Sequence, residues 1–205
     1  MNMTSGGRVS TASAFGRPVS VHHTPTDRWN SDVSTVATVR VLRRLAHQYA
    51  ADPSVLAADA QALQALSAAA PQRDIACAIF HWVRGTVRFV EDEQLLYEEL
   101  GVAPAELDKE LLIVPPVLLA MPAPMGDCDD FSLLTASMCL ASGIRPYYVT
   151  VAADPNDPRK FSHIYVCARL EDEDGYLCLD TGNRYSSIPP GWESSQVTRK
   201  AIWPI

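Results

Sequence analysis

From Ser31 to about Arg84 the apolar residues recur every three to four positions, whereas from Tyr147 to Leu179 they alternate every second position. The chain therefore places helices first and strands after. Val33, Val36, Val39, Val41, Leu42, Leu45 and Tyr49 predict a first helix, which Asp52-Pro53 stops. An Ala-rich second helix is expected from Ser54 to about Ala69, ahead of Pro71. A third spans Pro71 to Arg84, with Pro71 in the favoured first turn and Gly85 as the stop. Its apolar stripe is Ile75, Ala78, Ile79, Trp82 and Val83. "TVRFV" (86–90) reads as a short strand. Residues 91–126 read as an acidic helical piece, an apolar piece, and a Pro-rich loop, "VPPVLLAMPAPMG", that delivers the chain to Cys128. A helix is predicted from Asp127 to Ser142, closed by Gly143. Three strands follow, Tyr147–Ala153, Phe161–Leu170 and Tyr176–Leu179, and "VTRKAIWPI" adds an edge strand. Helices before antiparallel strands define an α+β domain.

At 205 residues, 47% hydrophobic and 20% charged, the chain can bury one sizeable core. Residues 1–30 contribute little to it: their sizeable apolar side chains are Val9, Phe15, Val19, Val21 and Trp29. They read as an extended arm that stays mobile or docks on a protein partner. The domain proper is then 31–205, a helical extension (31–70) on a core (71–205). A net charge of −7, with 17 scattered Lys and Arg, excludes a nucleic-acid face. No apolar run reaches the length of a membrane span, and Leu111 to Met121 is broken by Pro115 and Pro116. The polar start, Met1 to Phe15, lacks the apolar stretch of a secretory signal, so a cytoplasmic protein is expected.

Of the five cysteines, none lies in a C-x-x-C pair, and neither a zinc cluster nor a disulfide framework is expected. Cys77, Cys139, Cys167 and Cys178 sit in apolar runs and read as small buried hydrophobes. Cys128 differs. "GDCDDFSLL" puts it in the first turn of a helix, with Asp127 as N-cap and Asp130 as capping-box partner. Unsatisfied N–H groups at a helix N-terminus favour thiolate over thiol. In "FSHIYVCARL", alternation sets Phe161, His163, Tyr165 and Cys167 on one strand face. In "YLCLDTGN", Asp180 closes the next strand on the face of Tyr176 and Cys178. Nucleophile at a helix start, His on a strand and acid on its neighbour is the order that a Cys–His–Asp relay needs. Direct pairing of His163 with Asp180 requires a hairpin centred at Glu171–Asp172, whereas the stronger turn signal, Asp174-Gly175, sets Asp180 opposite Arg169. Either way, the two residues share a face.

The run "GDCDDFSLLTASMCLASGIRPYYVTV" resembles the nucleophile helix and following strand of the transglutaminase-like superfamily. "SHIYVCARLEDEDGYLCLDTG" resembles its His strand, hairpin and Asp strand, and "IACAIFHWVRGTVRFV" the helix before the site. The Gly-Asp-Cys-(Asp/Glu)-Asp form is closest to bacterial transglutaminase-like cysteine peptidases and to phage or prophage proteins with this domain. The resemblance implies a papain-like core, with Cys128 as nucleophile, His163 as base and Asp180 orienting the His. It also implies a peptide or protein substrate, attacked as a peptide or isopeptide amide; hydrolysis and transamidation remain open. The alternative is a virion structural or assembly component, virion-associated if phage-encoded, that keeps the site as a relic. No cofactor is required by this chemistry. Asp127, Asp129 and Asp130 beside a residue that must become an anion leave two readings: helix capping, or oxygen ligands for a calcium ion, which some peptidases of the superfamily use.

Overall fold

The computed structural model describes residues 8–14, 17–23, 31–92, 94, 112–171, 175–183 and 187–205. The expected acidic helical piece and its apolar sequel lie largely outside these residues, as does Asp174 of the expected turn.

Within the arm, strands β1 (Arg8–Ala14) and β2 (Arg17–His23) pair antiparallel as a two-stranded sheet of their own, Ala14 opposite Arg17. Helix α1 (Ser31–Tyr49) ends where expected, before Asp52-Pro53. Asp52 caps α2 (Pro53–Leu63), accepting from the Ser54 N–H at 2.9 Å, and Pro53 fills the first turn, where its missing N–H costs nothing. Helix α2 stops six residues short of the predicted Ala69. Residues past Leu63 are mostly exposed, and Ala propensity alone does not sustain a helix with no face to bury. Helix α3 (Gln72–Thr86) runs through Gly85, which therefore is not the stop; Val87 turns into extended backbone. Its buried face is Ala76, Ile79, Phe80 and Val83, rotated from the predicted stripe, with Ile75 and Trp82 at its margin.

The Pro-rich segment is not a plain loop. Pro115 and Pro116 start a short helix, α4 (Pro115–Leu119), with Pro115 and Leu118 buried. Met125–Gly126 forms β4, which pairs parallel with β3 (Arg88–Phe89). Helix α5 (Cys128–Ala141) follows at once and is buried from Asp129 to Cys139. Gly143, at φ 73°, closes it: the Ile144 N–H reaches the Cys139 carbonyl at 2.8 Å and the Gly143 N–H that of Leu140 at 3.1 Å.

The main sheet has the order β7 (Tyr176–Leu179), β6 (His163–Arg169), β5 (Arg145–Val151), β8 (Lys200–Pro204), antiparallel throughout, with β8 as the predicted edge. Helix α5 serves two packing groups at once. Phe131, Leu134 and Met138 join the core of α2, α3 and α4, while Leu133 and Ala136 meet Leu42 and Leu45 of α1 and Tyr148, Ile164 and Val166 of the sheet. Each such side chain contributes about 1.5–3 kcal/mol on burial, so α5 is the element that the domain folds around. The molecule is thus a mixed helix-and-sheet fold.

The opposite sheet face carries Val149, Val151, Tyr165, Cys167 and Cys178, capped by Val197. Here the reading of Cys167 and Cys178 as two separate buried thiols is overturned: they are joined as a disulfide. They sit directly opposite one another, Cys167↔Cys178 with Val166↔Leu179 beside them, so the hairpin centres between Asp172 and Glu173. Both earlier expectations for the turn were displaced, and the residues of the turn itself lie outside those described.

Two outcomes are expected. Residues 1–30 hold only Val9, Phe15, Val19, Val21 and Trp29 as sizeable apolar side chains, too few to anchor a core layer, so a chain beginning at Asn30 should melt within about 5 °C of the full chain; insoluble protein would show instead that the arm packs into the domain. A Cβ on Gly126 would fall on the Asp130 carboxylate, 2.8 Å from its Cβ, where that carboxylate caps α5. Gly126→Ala and Asp130→Asn should each cost about 2–3 kcal/mol in urea unfolding, and the double variant less than their sum, because both break one clamp.

Candidate active site

Cys128 is the first residue of α5, and carboxylates on either side hold that helix start. Asp127 is the N-cap, its side chain accepting from the Asp129 N–H at 3.0 Å, and the reciprocal Asp130 contact completes the predicted capping box. Asp130 does more. Fully buried, it accepts the Asp127 N–H at 3.2 Å on Oδ2 and the Ile113 N–H at 2.7 Å on Oδ1. It thereby ties the strand-like segment before α4 to the start of α5. Asp129 is also buried, and its Oδ1 lies 3.7 Å from Cys128 Sγ. Among the described residues, two acidic groupings are close enough to share a cation: Asp127 and Asp129 with Cys128, and Asp127 and Asp130 with Asp92. The predicted trio is split between them.

His163 opens β6, and Asp180 directly follows β7. Their strands are neighbours, and in the observed register the two residues lie diagonally across the ladder on one face. His163 Nε2 and Asp180 Oδ1 are 2.8 Å apart, with Asp180 only 4% exposed. With Asp180 ionised, Nε2 is the donor, and Nδ1 becomes the nitrogen able to accept a proton. The ring leans on Tyr165, centroid to centroid 5.9 Å. Tyr165 in turn donates to Glu193 at 2.6 Å; burial first, and then Glu193, push its phenol far up, so it stays a neutral donor.

Three contacts bring the nucleophile helix to this couple. Ser132, one turn along α5 from Cys128, donates to the carbonyl of Ile164, the neighbour of His163, at 3.2 Å. Thr135 meets Thr181, the neighbour of Asp180, at 2.8 Å. Gly182 lies so close that a Cβ there would stand 3.0 Å from Cys128 Cα and 3.2 Å from Phe131 Cβ. The start of α5, the start of β6 and the turn after β7 therefore share one corner of the molecule. Of the other histidines, His22 and His23 belong to β2, and His47 and His81 are exposed on α1 and α3.

Two residues that sequence reading missed hold Asp180. Asn183 donates to its Oδ2 at 2.8 Å, and Arg84 of α3 donates to its main-chain carbonyl at 3.1 Å. Asn183 was within reach, three residues on in the quoted "LDTGN" run. Arg84, 96 positions away, carried no local signal.

No protein-family model matches this chain, and no curated protein matches it. A solved structure, "Crystal structure of a TGase", is similar over 84% of this chain, at 13% sequence identity and a TM-score of 0.39. The chain spans 38% of the length of that structure.

Because both oxygens of Asp130 already accept backbone N–H groups and Asp127 caps α5, these two carboxylates have structural work without a cation. A chelator should leave the melting temperature unchanged within about 1 °C. A cation bound at a hundredfold excess over its Kd contributes about 2.7 kcal/mol, so a clear drop on chelation would instead reveal one.

Proposed function

We propose that this chain is a thiol acyl-transfer enzyme acting on a peptide or isopeptide amide, with Cys128 as nucleophile, His163 as general base and acid, and Asp180 as the group that orients the imidazole. One observation supports this above the others. The buried Asp180 carboxylate lies 2.8 Å from His163 Nε2, at the corner where Cys128 begins α5. A buried carboxylate aimed at one ring nitrogen fixes the tautomer and stabilises the imidazolium that forms when the other nitrogen takes a proton. The motif in "GDCDD", with its resemblance to the transglutaminase-like superfamily, supports the same roles.

In this reading the Cys128 thiol gives its proton to His163 Nδ1, and the thiolate attacks the amide carbonyl carbon. The carbonyl oxygen takes up negative charge, for which the Cys128 N–H, at the start of α5, is a natural donor. His163 returns the proton to the leaving amine as the C–N bond breaks, which leaves a thioester on Sγ. Water, or a second amine, then attacks the thioester with His163 again accepting a proton, and the Cys128 thiol is released. Hydrolysis and transamidation differ only in that acceptor. The carboxylate of Asp129 works against the first step, since a like charge near Sγ disfavours the thiolate, and the helix N-terminus works for it.

The test is alkylation by iodoacetamide at pH 7 followed by mapping of the modified residues. Cys167 and Cys178 are joined, and the Cys139 thiol pKa is pushed up to about 12, first by burial and then by the charge of Asp59, so Cys139 stays a thiol at pH 7. Cys128 should react first, well ahead of half-buried Cys77, and Cys139 not at all in the folded protein. His163→Ala should slow Cys128 labelling at least tenfold and Asp180→Asn several-fold, with unchanged melting temperatures. Equal, slow labelling of Cys128 and Cys77, indifferent to His163, would overturn the assignment.

A further inference from the structure

We propose that Arg84 is a positioning residue for this site: it holds the main chain of Asp180 and sets a positive charge beside it, so that the carboxylate keeps its place against His163 and the thiolate of Cys128 forms at lower pH. The inference rests on the proposed function above. Arg84 lies in the last turn of α3, a helix with no other part in the relay, and donates from Nη1 to the Asp180 carbonyl at 3.1 Å. Its guanidinium carbon stands 5.5 Å from the ring centroid of Phe80, itself fully buried. Burial works to lower the pKa of Arg84 and the Asp180 charge to raise it, which marks a cation partly withdrawn from water and turned toward that carboxylate. A guanidinium remains charged under such burial, and its planar fork serves both the ring face and the carbonyl.

The remaining charged groups around the site make this cation consequential. On α5, Asp127, Asp129 and Asp130 lie beside Cys128, and Asp92 beside Asp127 and Asp130. On the sheet, His163 faces Asp180 and Tyr165, and Tyr165 is bonded to Glu193, which pairs with Lys200 of β8. Apart from Lys200, already paired to Glu193, these groups are anionic or neutral until His163 is protonated. Among the described residues, Arg84 is a cation hydrogen-bonded to the main chain of Asp180 itself, whereas Arg88 on β3 reaches Met125 Sδ at 3.5 Å. Removing a positive charge disfavours every anion nearby, so the pH at which the Cys128 thiolate appears must rise.

The experiment is the pH profile of Cys128 alkylation by iodoacetamide in the full chain, with melting temperatures as the control for folding. Arg84→Gln keeps a side-chain N–H for the Asp180 carbonyl but loses the charge. It should move the midpoint upward by about half to one pH unit, so labelling below the midpoint slows about three- to tenfold while the high-pH limit converges with the unsubstituted protein. Arg84→Lys restores the charge and should return the midpoint toward its original value. A purely structural Arg84 would lower the melting temperature in both variants and leave the midpoint in place; superimposed profiles for Arg84→Gln and the unsubstituted protein would overturn the proposal. His163→Ala separates this failure from a wider one. If His163→Ala alters the profile and Arg84→Gln does not, only the role of Arg84 falls. If His163→Ala changes nothing, the proposed function falls, and the role of Arg84 with it.

Discussion

The two hydrogen bonds that Asp130 accepts are the interaction on which the rest depends. A carboxylate with no exposed surface is costly to bury unless its oxygens are met by donors, and the two donors here come from different parts of the chain. One is the Asp127 N–H, which starts α5; the other is the Ile113 N–H, which fixes the approach to α4. Gly126 lies under the carboxylate because only a residue without Cβ leaves it room. The position of Cys128 is therefore set by a clamp between Ile113 and Asp130, 17 positions apart.

From that fixed start, α5 passes its geometry to the rest of the domain. Its apolar residues fill two packing groups, while its few polar residues are spent on specific partners: Ser132 on β6, Thr135 on the turn after β7, and Ser142 at its far end on Asp59 of α2 at 2.8 Å. Such contacts each add about 1 kcal/mol to stability, which is little beside the burial of Phe131 or Met138. Their value is registration. The first two tie chosen turns of α5 to the residues next to His163 and Asp180, and the third ties its end to α2.

Much of this was legible because it is local. The N-cap and capping box of α5 can be read within Asp127–Asp130, its closing Gly143 from the end of the same helix, and the faces of β6 and β7 from alternation alone. What escaped depends on distant neighbours. The end of α2 is decided by the lack of anything to pack against past Leu63, and Gly85 stays helical because β3 takes over only at Arg88. The hairpin register was misjudged because Asp174-Gly175 is a strong turn signal, yet the pairing obeys the Cys167–Cys178 link and the burial of Leu177 and Leu179. Each of those cysteines resembles any small buried apolar residue until its partner is known. Arg84 resembles an ordinary cation at a helix end.

The bond between Cys167 and Cys178 gives the hairpin a second covalent path, 11 residues apart along the chain. Between them, peptide continuity is redundant. A protease that nicked the chain anywhere from Ala168 to Leu177 would produce two fragments that remain one molecule, with β6 and β7 still tethered side by side. The chain could thus be opened at this tip by processing, or entered there by an inserted sequence, while His163 and Asp180 stay joined through sulfur.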